Sequence, residues 1–188
     1  IRLFEEQGVK IKNSKAEIEI IDFLKERMRN ILKEKNIQTD IIEASISSHV
    51  GDNYLDLYKK NILINRHINK DVGKNIVSSY KRASNIIENT EKIITGKPDA
   101  VLFRHDDEKA LYEQINEIRK AFTVKEDKKN YENLLIRMSD VKPFTDKFFE
   151  NVKVNDENKD IKNNRLELLK MFCNTFNNFI DFSKLEGL

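Results

Sequence analysis

Apolar residues recur three and four positions apart along most of this chain instead of alternating, which is the period of amphipathic helices and not of strands. The first such run places Ile20, Phe23, Leu24, Met28, Ile31 and Leu32 on one stripe that continues to about Lys35, and a stripe of that kind must pack on something. Ser14 with Glu17 spells a capping box at its start, the hydroxyl accepting from an orphan amide while the carboxylate reaches back. Residues 38–48 predict a shorter helix, and Asp52 suits the cap of a third built on Tyr54, Leu55, Tyr58, Ile62 and Leu63. From about Asn69 a fourth carries Ile76, Tyr80, Ala83, Ile87 and Ile94 on one face, and Gly96-Lys97-Pro98 ends it.

The second half repeats the pattern. Asp106 or Asp107 is placed to cap a helix containing Leu111, Ile115 and Ile118, and a shorter one runs through Tyr131, Leu134, Leu135 and Met138. Pro143 fits the first turn of the next, Phe144 to Phe149. The last helix, about Glu157 to Phe182, is apolar on most of its circumference, which predicts the central and most buried helix of its bundle. With only five Gly and two Pro to break it, the chain is expected to be all-α: a tail of a preceding element over 1–13, a helical subregion over 14–95 and a second helical bundle over 96–188.

Composition narrows the class. Charged residues make up 35% of the 188, yet 11 Phe with many Ile and Leu supply a core, which argues against disorder. The single cysteine, Cys173, excludes an internal disulfide, and no run approaches the roughly 20 apolar residues of a membrane span, so a cytoplasmic location is expected. The opening Ile1-Arg2-Leu3-Phe4, with no Met and no signal-type layout, reads as part of a longer polypeptide.

A net charge of +2 implies no nucleic acid by itself, but its distribution is uneven. Seven basic residues and one acid lie between Lys59 and Arg82, a local net of +6 that leaves −4 on the rest. On the fourth helix, Lys74, Ser78, Lys81, Arg82 and Asn85 fall opposite Ile76, Tyr80, Ala83 and Ile87 by the 3.6-residue period. That cationic face suits a phosphate backbone, where each placed Lys or Arg releases a counterion; the alternative is a solvated face paired with nearby acids.

Catalytic chemistry is scarce. His105-Asp106, with His49 and His67 upstream, is the only hint of a metal-dependent phosphohydrolase, but no histidines stand at i and i+4 and Asp106 reads as a cap, so no metal site is expected. Cys173 sits among Met171, Phe172 and Phe176 with no activating base, and no Gly-rich phosphate loop or nucleophile elbow occurs. Tyr80, Tyr112 and Tyr131 are either stacking platforms for bases or core residues.

Several blocks, in order and over nearly the whole chain, resemble the C-terminal region of the β subunit of bacterial tetrameric glycyl-tRNA synthetases. They include Glu19-Ile20-Ile21-Asp22-Phe23-Leu24, Tyr80-Lys81-Arg82-Ala83-Ser84-Asn85, Lys142-Pro143-Phe144-Thr145-Asp146-Lys147-Phe148-Phe149, Asn164-Arg165-Leu166-Glu167-Leu168-Leu169 and Asp181-Phe182-Ser183-Lys184-Leu185. The segment from Phe148 to Leu169 is similar to the signature of the DALR anticodon-binding domain, whose name-giving tetrapeptide reads Lys159-Asp160-Ile161-Lys162 here. Arg165, within Asn-Arg-Leu, matches the family pattern, whereas Lys162 stands where the family has Arg, a change that matters wherever bidentate pairing does.

The resemblance implies an all-α anticodon-binding bundle that contacts glycine tRNA and has no catalytic centre of its own. The ATP, Mg and class II active site would lie on a separate α subunit of an α2β2 enzyme that glycylates the tRNA. Lys74, Lys81 and Arg82 are the candidate phosphate contacts and Asn85 a base or sugar contact, with Lys162 and Arg165 in a second tier. Arg165 could equally pair with Glu157 or Asp160 and hold the bundle together. A rival reading is a helical protein-interaction module that docks on the α subunit or on the rest of β.

Overall fold

All regular structure among the described residues is helical, and asparagines set many of the helix starts. A computed structural model of the protein describes residues 3, 6–8, 13–49, 51, 53–90, 94–123 and 130–185. Its helices are α1 (Ala16–Glu34), α2 (Thr39–Ser48), α3 (Tyr54–His67), α4 (Asp71–Glu88), α5 (Asp106–Thr123), α6 (Tyr131–Ser139), α7 (Lys142–Asn151) and α8 (Lys159–Asn177), with short 3-10 turns at Ala100–Leu102 and Phe182–Lys184. Asn53, Asn130 and Asn158 cap α3, α6 and α8, each side-chain oxygen accepting from amides of the first turn that would otherwise be orphaned. None of the helices is long and apolar enough to cross a membrane.

Helix α8 is the axis of the fold. Leu166, Leu168, Leu169, Phe172, Cys173 and Phe176 are all buried. Helix α4 packs on it most extensively, and α5 packs on both α7 and α8. Phe172 and Phe176 stack at 4.3 Å between ring centroids, and Phe182, arriving from the terminal turn, meets Phe176 at 6.1 Å and Tyr80 of α4 at 5.7 Å. Each fully buried Phe stabilises by about 1.5–3 kcal/mol relative to an exposed one. The segment after α8 then joins α2 and α3 to this core: Asp181 N–H donates to the Ala44 carbonyl (2.9 Å) and Lys60 Nζ donates to that of Phe179 (3.1 Å).

Two backbone details fix the connections. The α1–α2 turn is a Schellman motif: Asn36 takes φ +56°, Ile37 N–H reaches back to Leu32 O and Asn36 N–H to Lys33 O, while Leu32 and Ile37 are both buried. At the α3–α4 turn Gly73 abuts the backbone of His67 and Ile68, where a β-carbon would collide.

The helix count and order follow the sequence pattern, and several ends differ. Helix α1 starts at Ala16 without the Ser14–Glu17 box; instead Asn13 accepts from Lys15 N–H and donates to Glu19. Asp52 lies outside the described residues, and Asn53 caps α3 by accepting from Asp56 N–H. Helix α4 stops at Glu88 instead of running to Gly96, because Asn89 and Thr90 turn their side chains back onto the carbonyls of Asn85 and Ile86. Residues 91–93 of that predicted helix are not among those described.

Helix α5 is capped not by an aspartate but by His105, whose Nδ1 accepts from Asp107 N–H, while Glu108 reaches back to the amides of Arg104 and His105. Helix α8 ends at Asn177, five residues before Phe182, where the Asn177 side chain takes the Phe182 amide. Of the predicted tail over 1–13, only residues 3, 6–8 and 13 are described. The stripe of α1 divides: Leu32 is buried and Met28 packs on the core, but Ile20, Phe23 and Leu24 stay 51%, 67% and 40% exposed.

Candidate nucleic-acid interface

Helix α4 presents the cationic face that its periodicity predicts. Ile76, Val77, Tyr80 and Ala83 are buried against α8 and its neighbours, which turns Lys74, Ser78, Arg82 and Asn85 outward, with Lys81 half-buried at the edge. Arg82 is held in place: its guanidinium lies 4.4 Å from the centre of the Phe149 ring on α7, and its Nη1 is 3.9 Å from Asp146, which also pairs with Lys142. Stacking over an exposed ring contributes about 0.5–1 kcal/mol and leaves the edge of the planar group available to an acceptor.

A groove of about 660 Å³ opens where the end of α4 meets the start of α8. Asn85 and Asn89 line it from α4, and Asn155, Lys159, Lys162 and Asn163 line it from the turn before α8 and its first residues, over a floor of Ile86 and Leu166. The Asn158 cap sets the phase: starting α8 at Lys159 puts positions 159, 162, 163 and 166 on the side that faces α4. Among the described residues, no carboxylate lines the groove. Asparagine amides offer both donors and acceptors, which suits the edges of unpaired bases, and the two ammonium groups suit the phosphates between them.

Arg165 takes the opposite direction. Its side chain is 7% exposed, with Nε donating to Glu108 Oε1 (2.8 Å) and Nη1 donating to Asp156 Oδ2 (2.7 Å) and the Lys153 carbonyl (2.9 Å). Burial works against its charge, but the bond and field of Glu108, with those of Asp156, outweigh it and push its pKa up. Asp156 is held below the usual carboxylate range by the Asn158 N–H, and then by Arg165. The interior partners are therefore Glu108 and Asp156 and not Glu157 or Asp160, both of which are exposed.

Of the six residues picked out in the sequence, Lys74, Lys81, Arg82 and Asn85 share the outer face of α4, and Asn85 meets Lys162 across the groove. Arg165 joins neither. Sequence reading missed Lys159, three before Lys162, Asn163, four after Lys159, and Asn89, four after Asn85, each on the face of a named residue by helical period. Asn155 carries no such signal, since only packing brings it in. Tyr80 is a core residue, 3% exposed, its hydroxyl accepting from Asn177 (3.1 Å). The Cys173 thiol is buried and pushed up to about 12 by desolvation, far from the thiolate that nucleophilic chemistry needs.

The sequence of this chain is similar to those of known proteins. A glycine–tRNA ligase β subunit of Sulfurihydrogenibium sp. is 33% identical over the whole of this chain, one of Persephonella marina 35% identical over 89% of it, and one of Rickettsia africae 34% identical over 98%. The chain spans about a quarter of the length of these relatives: 27%, 23% and 26%. The family model described as the DALR anticodon binding domain matches residues 76–186, which begin within α4 and take in both walls of the groove. Over that span, this chain belongs to the DALR anticodon binding domain family.

Proposed function

We propose that this chain is the anticodon-end tRNA-binding part of a glycine–tRNA ligase β subunit, serving the ATP-dependent glycylation of glycine tRNA in the cytoplasm. The observation that carries the reading is the groove of asparagines and lysines between α4 and α8, with no carboxylate among its described lining residues, inside the segment that matches the anticodon-binding family. Unpaired anticodon bases enter the groove against Asn85, Asn155 and Asn163, while Lys159 and Lys162, with Lys74, Lys81 and Arg82 on the flank, hold phosphates. In this reading the residues over 14–95 supply one wall, through α4, and those over 96–188 the other. The class II catalytic site, with its ATP and Mg, belongs to an α subunit that assembles with β as α2β2.

The test is binding of the chain to glycine tRNA and to the same tRNA with its anticodon replaced. Groove recognition of bases predicts at least tenfold weaker binding of the replaced form and protection confined to the anticodon arm in a footprint. Protection of the acceptor end alone would overturn the assignment.

A second reading has its own observation. Ile20, Phe23 and Leu24 of α1 remain exposed as an apolar stripe, which favours a protein-docking role for the first helices, on the α subunit or on the rest of β. Capture of the α subunit by the wild-type chain, and its loss in Phe23→Ser, is the outcome that reading requires.

A further inference from the structure

A second recess lies further along α8. It has a volume of about 410 Å³ and is lined by the segment over 95–98, by Tyr112 and Arg119 of α5, and by Lys170, Met171 and Asn174 among the α8 residues. Like the groove, it has no carboxylate among its described lining residues, and it gathers three cations, Lys97, Arg119 and Lys170, from three separate parts of the chain. Arg119 and Lys97 are exposed and Lys170 is half-buried. The Arg119 side chain donates from Nη1 to Met171 Sδ at 3.9 Å, and its charge faces no acid within salt-bridge distance among the described residues.

The two recesses are parts of one track. Positions 159, 163, 166, 170 and 174 follow one another at three- and four-residue steps, with 162 three after 159, so these α8 residues of both lie on one stripe of the helix. Between them a strap crosses α8. Asp99 exchanges both of its backbone bonds with the Asn164 amide (2.6 and 3.0 Å), and Gly96 lies so close to the Glu167 carboxylate that a β-carbon there would collide with it. The strap fixes Lys97 at the rim of the second recess. From Lys162 to Lys170 is eight residues, about 12 Å of helix at 1.5 Å per residue.

We propose that this second recess binds the phosphate backbone of the RNA strand that continues out of the anticodon loop into its stem, with Lys97, Arg119 and Lys170 as the contacts. The proposal rests on the tRNA-binding reading above and extends the interface to residues outside it. The contents of the two recesses differ in balance. The first has four asparagine amides and two lysines; the second has three cations, two asparagines (Asn174 and Asn178) and an aromatic, Tyr112, whose ring is already engaged with Phe103 at 5.4 Å.

The experiment compares two variants of the chain, Lys97→Gln/Arg119→Gln/Lys170→Gln and Lys159→Gln/Lys162→Gln, in binding to glycine tRNA across a salt series, with phosphate-ethylation interference mapping on each. Circular dichroism at equal helicity confirms that both fold. The triple variant is expected to bind tens of fold more weakly near 0.1 M salt, to lower the salt slope by about 2, at roughly 0.7 per lost contact, and to lose interference at stem phosphates while keeping it in the loop. If the triple variant binds with wild-type affinity and slope while the double variant is weakened, the second recess is not an RNA site and the anticodon reading stands. If neither variant matters because the wild type does not bind tRNA, both readings fall. If the triple variant keeps tRNA affinity and loses capture of the α subunit, the recess is a protein contact and the proposal is overturned.

Discussion

The first two turns of α8 carry basic residues on two sides, and the sides behave in opposite ways. Lys159 and Lys162 face the groove, which has no acid among its described lining residues, whereas Arg165, one turn on, is directed into the bundle onto Glu108 and Asp156. Glu108 is fully buried and does three things at once: it balances Arg165 and accepts from the amides of Arg104 and His105 that open α5. The difference teaches that a family-matching arginine and a family-departing lysine can have exchanged importance. The matching residue holds α5, α8 and the turn before α8 together, and the departing one lines the surface where a ligand fits.

The largest effect that would break this comparison is on stability. Glu108→Ala leaves a buried guanidinium with one carboxylate fewer and two amides without acceptors, and removal of one partner of a buried pair costs about 3–5 kcal/mol. Lys162→Ala should stay within about 0.5 kcal/mol, as surface changes do. Urea unfolding of the two variants checks the contrast; equal losses would show that the groove side is as structural as the inner side.

Why was the inner side hard to read? Helix periodicity identified α8 as the central helix and gave the outer face of α4, because those depend on spacing within one element. Arg165 pairs with Glu108, 57 positions away, and the acids nearest in sequence, Glu157 and Asp160, are not its partners. The exposed Ile20, Phe23 and Leu24 make the same point from the other direction: a stripe announces itself in sequence, but what lies against it does not. Lys159 was legible as three before Lys162, Asn163 as four after Lys159 and Asn89 as four after Asn85; Asn155 was not, since it comes from the turn before α8 and only packing brings it in. Helix ends were missed where side chains of Asn13, His105, Asn89 and Asn177 took over backbone bonds at short range, an outcome that several neighbouring polar residues could have supplied equally well.

A smaller effect comes with acid. The Asp156 carboxyl is held below its ordinary value of 3.8, first by the Asn158 N–H and then by Arg165, and Glu43 below 4.5, first by its hydrogen bond from Arg29. A carboxylate whose folded pKa is depressed stabilises the fold fully above its unfolded pKa and loses that contribution as pH falls through the folded value. Burial also lowers the pKa of His49 from 6.5, so by the same sign a shallow loss begins below about that pH. The melting temperature should therefore decline gently below pH 6.5 and steeply below about 4.5. In Asp156→Asn the steep part should shrink, since the asparagine cannot titrate; an unchanged acid limb would mean that the inner cluster contributes nothing to pH dependence.

The smallest effect tests a position far from both sides of α8 and so sets the scale for a change that touches neither. Asn36 closes α1 with φ +56°, a conformation in which a residue with a β-carbon is strained and glycine is not. Its side chain is exposed, and the two bonds that define the turn, from Ile37 to Leu32 and from Asn36 to Lys33, run through the backbone and survive substitution. Asn36→Gly trades that strain against the greater chain entropy of glycine in the unfolded state, so the net change should be a few tenths of a kcal/mol. Asn36→Val, β-branched and unable to relieve the strain, should lose 1 kcal/mol or more at about the level of a backbone outlier. Equal stabilities for the glycine and valine variants would show that the left-handed turn is not what holds α1 against α2.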